Sequence, residues 1–174
     1  ETYIVSFHPT EETTAIFQID DKGRLLRERL LNAVVTSMQV IGDRLVMTQA
    51  LEGDQCKGIG EAIIEDDFIV GCQGMVATTA IVSLDSELNQ ISGKQYADSY
   101  SLNYNALVSV AEGELLWVNT MPSETRIDWV DANHQIIQSI QVPEVAIKVL
   151  QNSATQFTLI TKDKKVISFN IDTV

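Results

Sequence analysis

Apolar and polar residues alternate with a period of two along much of this chain, the spacing of a strand with one buried face. The alternation is clear in Tyr3-Ile-Val5-Ser-Phe7, in Leu102-Asn-Tyr104-Asn-Ala106-Leu-Val108-Ser-Val110 and in Ile127-Asp-Trp129. It returns in Val145-Ala-Ile147-Lys-Val149, Phe157-Thr-Leu159 and Ile167-Ser-Phe169-Asn-Ile171. Val, Ile, Thr and aromatic residues gather in these segments, as a pleated, half-buried surface favours. Helical spacing occurs once, where Leu26, Leu30 and Val34 fall four apart. That run follows the turn sequence Ile19-Asp-Asp-Lys-Gly23 and also reads as the return strand of a hairpin, the reading preferred here.

The turns fall into two kinds. In one, a tight polar turn separates two apolar runs, as in Met38–Thr48 around Gly42-Asp43, Ala62–Val70 around Asp66-Asp67 and Leu107–Trp117 around Glu112-Gly113. Ile147–Ile160, around Asn152-Ser153, is a looser member. In the other, an apolar strand ends on Asp before a polar turn: Ile16–Asp20, Ile81–Asp85, Ile127–Asp131 and Ile167–Asp172. Seven hairpins follow, pairing 14–20 with 25–31, 35–41 with 44–50, 60–65 with 68–72, 79–85 with 90–96, 104–111 with 114–120, 125–131 with 135–142, and 145–151 with 156–162. Strands 2–7 and 166–171 remain over. If these two pair, the chain holds sixteen strands in four blades, 14–51, 60–96, 104–142 and 145–171, closed by strand 2–7. The rhythm is weakest at 51–59, where two hairpins of the same kind adjoin.

A period of about 40–50 residues per four strands is that of a β-propeller, and closing the ring would remove exposed sheet edges. With its apolar strand ending in Asp, polar turn, return strand and second hairpin, the chain resembles PQQ-like and WD-like propeller repeats over nearly its whole length. The Trp-Asp and Gly-His signatures of WD repeats are absent, as is the tryptophan that docks between PQQ-like blades. The resemblance implies a rigid platform for a protein partner, and carries over no cofactor-binding residue. The expected fold is therefore all-β, a single domain over 1–174 of propeller-like four-stranded blades, closed or partial. A β-sandwich is the alternative.

Composition narrows function more than it defines it. The 174 residues are 45% hydrophobic and 21% charged, ordinary for a globular chain. With 12 Lys and Arg against 24 Asp and Glu, the net charge of −12 opposes a phosphate backbone or an anionic membrane. No nucleic-acid partner and no membrane insertion are expected, since no run approaches the ~18 apolar residues of a span. No signal peptide opens the chain, and a start on Glu1 reads as a processed chain or a fragment. The cations Lys22, Arg24, Arg27 and Arg29, and again Lys162, Lys164 and Lys165, read as solvated hairpin edges. A Cys56–Cys72 disulfide would close a loop of about 15 residues, stabilise by roughly 3 kcal/mol and fit an extracytoplasmic compartment. Two buried free thiols in the cytoplasm fit the same spacing.

Candidate chemistry is sparse. His8 and His134 read as surface loop residues, and no serine stands on a Gly-x-Ser-x-Gly turn. Asp20-Asp21 and Glu65-Asp66-Asp67 lack the alternating carboxylates and glycine of a calcium loop and read as turn residues. No metal or cofactor is expected. Tyr100 and Tyr104, with Trp129, are the candidate binding residues, because a tyrosine ring contributes contact area while its hydroxyl stays wet. The expected function is a non-enzymatic protein-interaction or scaffold module. The alternative is a glycan-acting hydrolase with carboxylates in a central cavity.

Overall fold

A computed structural model describes residues 2–8, 13–51, 62–65, 68–72, 77–99, 105–110, 113–121 and 123–171. Every regular element among them is a strand. No helix is long and apolar enough to cross a membrane among the described residues. The strands are β1 (Thr2–His8), β2 (Thr13–Ile19), β3 (Leu25–Leu31), β4 (Ala33–Ile41), β5 (Arg44–Leu51), β6 (Ala62–Glu65), β7 (Phe68–Cys72) and β8 (Ala77–Leu84). They continue as β9 (Gln90–Ser99), β10 (Asn105–Ser109), β11 (Leu115–Thr120), β12 (Thr125–Val130), β13 (Ile136–Val142), β14 (Ala146–Gln151), β15 (Gln156–Thr161) and β16 (Val166–Asn170).

All seven expected hairpins form, but two expectations about how they group are corrected. The antiparallel sheets are β1-β2-β3, β4-β5-β8-β9, β10-β11-β12-β13 and β14-β15-β16, here the first to fourth sheets, with β6-β7 a separate ribbon. Hairpin 14–31 therefore does not share a blade with 35–50. A single residue, Asn32, links β3 to β4. That is too short for the two-residue turn an antiparallel return needs, so the chain steps into the next sheet. There β5 pairs with β8 from Leu45↔Leu84 to Ala50↔Thr79, and the 60–72 hairpin is an insertion between them. The second correction concerns closure. Strand β1 pairs with β2, from Thr2↔Ile19 to His8↔Thr13, while β16 pairs with β15. A neighbouring hairpin closes a far shorter loop than an end-to-end pairing, at lower entropic cost.

The sheets stack in chain order through three apolar layers. Ile16 of the first sheet meets Leu45, Met47, Val82 and Leu84 of the second. The second sheet's other face puts Val46 and Ile81 against Leu107, Leu115, Trp117 and Val130 of the third. The third in turn sends Leu116, Val118, Ile127 and Trp129 against Phe157 and Leu159 of the fourth. Adjacent residues on β5, β8 and β11 thus enter opposite layers, which is why these strands read as continuous apolar runs.

Threonine hydroxyls tie sheet to sheet. Thr14 Oγ1 donates to Ala33 O at 2.7 Å and accepts from Val35 N–H at 3.3 Å. Thr125 Oγ1 makes the same pair of bonds, to Glu144 O at 2.7 Å and from Ala146 N–H at 2.8 Å. Ala33 and Ala146 each open the following sheet.

Candidate functional site

The Asp-terminated strands end in one recurring turn. Asp20 Oδ1 accepts the N–H groups of Lys22 and Arg24 at 2.9 and 2.8 Å. Asp85 Oδ1 takes those of Glu87 and Asn89 at 2.9 and 2.8 Å. Asp131 Oδ1 takes those of Asn133 and Gln135 at 2.8 and 2.7 Å. The Arg24 and Asn89 N–H groups hold the Asp20 and Asp85 carboxyls below the usual range, because each bond favours the charged form. Three residues after each Asp the backbone turns left-handed, at Gly23 (φ 75), Leu88 (φ 64) and His134 (φ 61). Asp172 of the Ile167–Asp172 member lies outside the described residues, while its Ile167 packs against the layer between the third and fourth sheets.

The third turn carries the most informative side chain. His134, expected at the surface, is only 3% exposed. Its turn projects from the third sheet onto the second, where Nε2 meets Ser83 Oγ at 3.0 Å and Ser92 Oγ at 2.9 Å. Its carbonyl accepts the Tyr96 hydroxyl, and Nδ1 has no partner among the described residues. Burial pushes the imidazole pKa down, against the pull of Asp131 and with help from Arg44 and Lys94. Burial likewise pushes the Tyr96 phenol upward.

A depressed histidine pKa means that the unfolded chain binds the proton more readily than the folded one. The stability due to neutral His134 is present above the unfolded value of about 6.5 and is lost as pH falls below it. His134→Asn keeps a residue that tolerates a left-handed backbone and cannot titrate. Urea midpoints measured from pH 8 to 5 should fall more steeply for the native chain than for this variant, and parallel curves would contradict the assignment.

Above His134 lies a cavity of about 430 Å³, bounded by Ile41, Arg44 and Val46 of the second sheet and by Ser109 and Ala132 of the third. Ser83 and His134 also line it, and no carboxylate does among the described residues. Ser83 and His134 share a hydrogen bond, and among the described residues no acid stands at Nδ1 to complete a Ser-His-acid triad.

The residues expected to bind fall elsewhere. Trp129 is 7% exposed within the layer between the third and fourth sheets, and its Nε1 donates to Glu114 Oε2 at 2.8 Å. Its ring therefore packs the core instead of facing a surface, as its alternation with Ile127 could have signalled. Tyr100, Tyr104 and Cys56 lie outside the described residues, and with Cys56 the Cys56–Cys72 pairing. His8 is exposed at the end of β1. Arg27 and Arg29 stand on the edge strand β3, where Arg27 is exposed and donates to Gln18 Oε1 at 2.9 Å, while Arg29 is half-buried and donates to the Leu88 carbonyl of the second sheet.

A second surface stands out on the first sheet. Rows Thr2–Ile19–Leu25, Ile4–Phe17–Glu28 and Ser6–Ala15–Leu30 form its outer face, opposite the Val5–Ile16 face that packs on the second sheet. Ile4, Leu25 and Leu30 are 48%, 57% and 59% exposed there.

Comparison with protein-family models and with curated proteins finds no match for the chain. Its class is defined by fold: an all-β chain of antiparallel sheets stacked in series.

Proposed function

We propose that this chain is a non-enzymatic protein-interaction module, an arc of propeller-like blades whose first sheet receives a β-sheet of a protein partner on its outer face. The supporting observation is the apolar surface of Ile4, Phe17, Ile19, Leu25 and Leu30, interrupted by one charge at Glu28. Both faces of the second and third sheets are covered by apolar neighbours, whereas on this face Ile4, Leu25 and Leu30 stay largely exposed around a buried Ala15 and Thr13. A sheet laid over it at the usual ~10 Å spacing would repeat the packing already used three times in the stack. The glycan-hydrolase reading needs two carboxylates roughly 5–9.5 Å apart across a cleft. It finds less support in a cavity whose described lining is aliphatic, hydroxyl, imidazole and guanidinium.

The double substitution Leu25→Asp with Leu30→Asp separates binding from folding. Both side chains are more than half exposed, so each change should alter stability by no more than about 0.5 kcal/mol. A central apolar anchor of an interface contributes about 2 kcal/mol or more, roughly thirtyfold in affinity. Unchanged thermal unfolding with lost partner binding is expected. Retained binding would sink the proposal.

A further inference from the structure

We propose that the cavity between the second and third sheets is a binding site for a small organic monoanion, its carboxylate held by Arg44 and its apolar body seated against Ile41, Val46 and Ala132. The cavity's volume of about 430 Å³ lies in the range of small-molecule pockets. It does not depend on the outer-face partner.

Three observations point to this ligand class. First, Arg44 is an exposed guanidinium with no hydrogen-bond or ion-pair partner among the described residues, in a chain of net charge −12 where cations are scarce. Arg24, Arg126 and Lys165 are each paired with a carboxylate, and Lys94, the other cation near His134, is engaged by Gln135 Oε1 and the Tyr96 ring. A planar fork of N–H donors with no acid beside it among the described lining residues matches one carboxylate in a bidentate pair. One free cation fits one negative charge, and a phosphate dianion would leave charge unmatched.

Second, the other lining groups offer hydrogen bonds without charge. Ser83 and Ser109 supply hydroxyls, and His134 is kept neutral by burial, so it does not compete for the anion. Third, His134 is more than nine-tenths buried with an unpartnered Nδ1. A buried polar atom without a partner is unfavourable, and in the lining of this cavity a ligand's hydrogen-bonding group would satisfy it. The arrangement joins elements far apart in sequence, because Arg44 opens β5 while His134 sits between β12 and β13.

Benzoate is a suitable probe, with benzyl alcohol as its uncharged counterpart. Backbone amide NMR during a benzoate titration should show saturable shifts at Gly42, Ser109 and Ala132. Loss of a charge-assisted pair lowers affinity by about 10–100-fold, so Arg44→Gln and the switch to benzyl alcohol should each weaken binding to that extent. Ala132→Phe, which fills the cavity and leaves Arg44 in place, should abolish it. Absence of saturable shifts at millimolar benzoate, equal binding of benzyl alcohol, or undiminished binding by a folded Arg44→Gln variant would each overturn the proposal.

Discussion

Replacing Trp117 with alanine should lower stability by about 3–5 kcal/mol, the usual cost of emptying a large aromatic site. The indole is fully buried in the layer that joins the second and third sheets. It lies 5.1 Å from the Tyr96 ring at 56°, and its Nε1 donates to Asn105 Oδ1 at 2.9 Å. Alanine removes the packing and the donor together, leaving a buried amide oxygen with one partner fewer. A domain of this size has only about 5–15 kcal/mol of stability, so the variant should unfold at a much lower urea concentration. Trp117→Phe, which keeps most of the ring volume, should lose less. A change below about 1 kcal/mol for the alanine variant would mean that this layer does not hold the two sheets together.

The second large effect concerns an ion pair beside the same ring. Asp128 is fully buried, with Oδ2 accepting Arg126 Nε at 2.8 Å and Oδ1 accepting the Ser139 hydroxyl at 2.5 Å. The Arg126 guanidinium carbon stands 5.7 Å from the Trp117 ring centroid. Removing one member of a buried pair strands the other charge and costs about 3–5 kcal/mol, whereas replacing both with apolar residues is often neutral. Arg126→Ala should therefore be severely destabilised, and Arg126→Met with Asp128→Leu should recover most of the loss. A double-mutant cycle in urea measures the coupling. Additive single losses would show that the two side chains act independently.

Much of the local structure was legible in the residues, and little of the grouping was. Alternation and turn chemistry locate the seven hairpins, because a strand's period and an Asp or Gly turn are local properties. The pairing of β5 with β8 is not local. It spans an insertion of its own hairpin, and nothing in Leu45–Ala50 names Ala77–Leu84 as the partner. The candidate site was hidden for a related reason. Asp131-Ala-Asn-His134-Gln reads correctly as a turn, yet whether a turn meets solvent or a neighbouring sheet depends on how sheets stack. Arg126 and Asp128 alternate with Ile127 and Trp129 in the pattern of a half-buried strand, although that strand is covered on both sides. Charged residues at alternating positions are indistinguishable from an exposed face until their partners across the sheet are known.

The proposed function stands on the outer face of the first sheet, and photo-crosslinking from that face tests it most directly. A photoreactive phenylalanine derivative placed at Leu30, within the rows Ser6–Ala15–Leu30, should capture one protein partner in cells that produce the chain. The adduct should disappear when Leu25→Asp is added, and none should form from the same group at exposed Ser153 on the fourth sheet. Capture of the same protein from both positions, or no adduct from Leu30, would contradict the account.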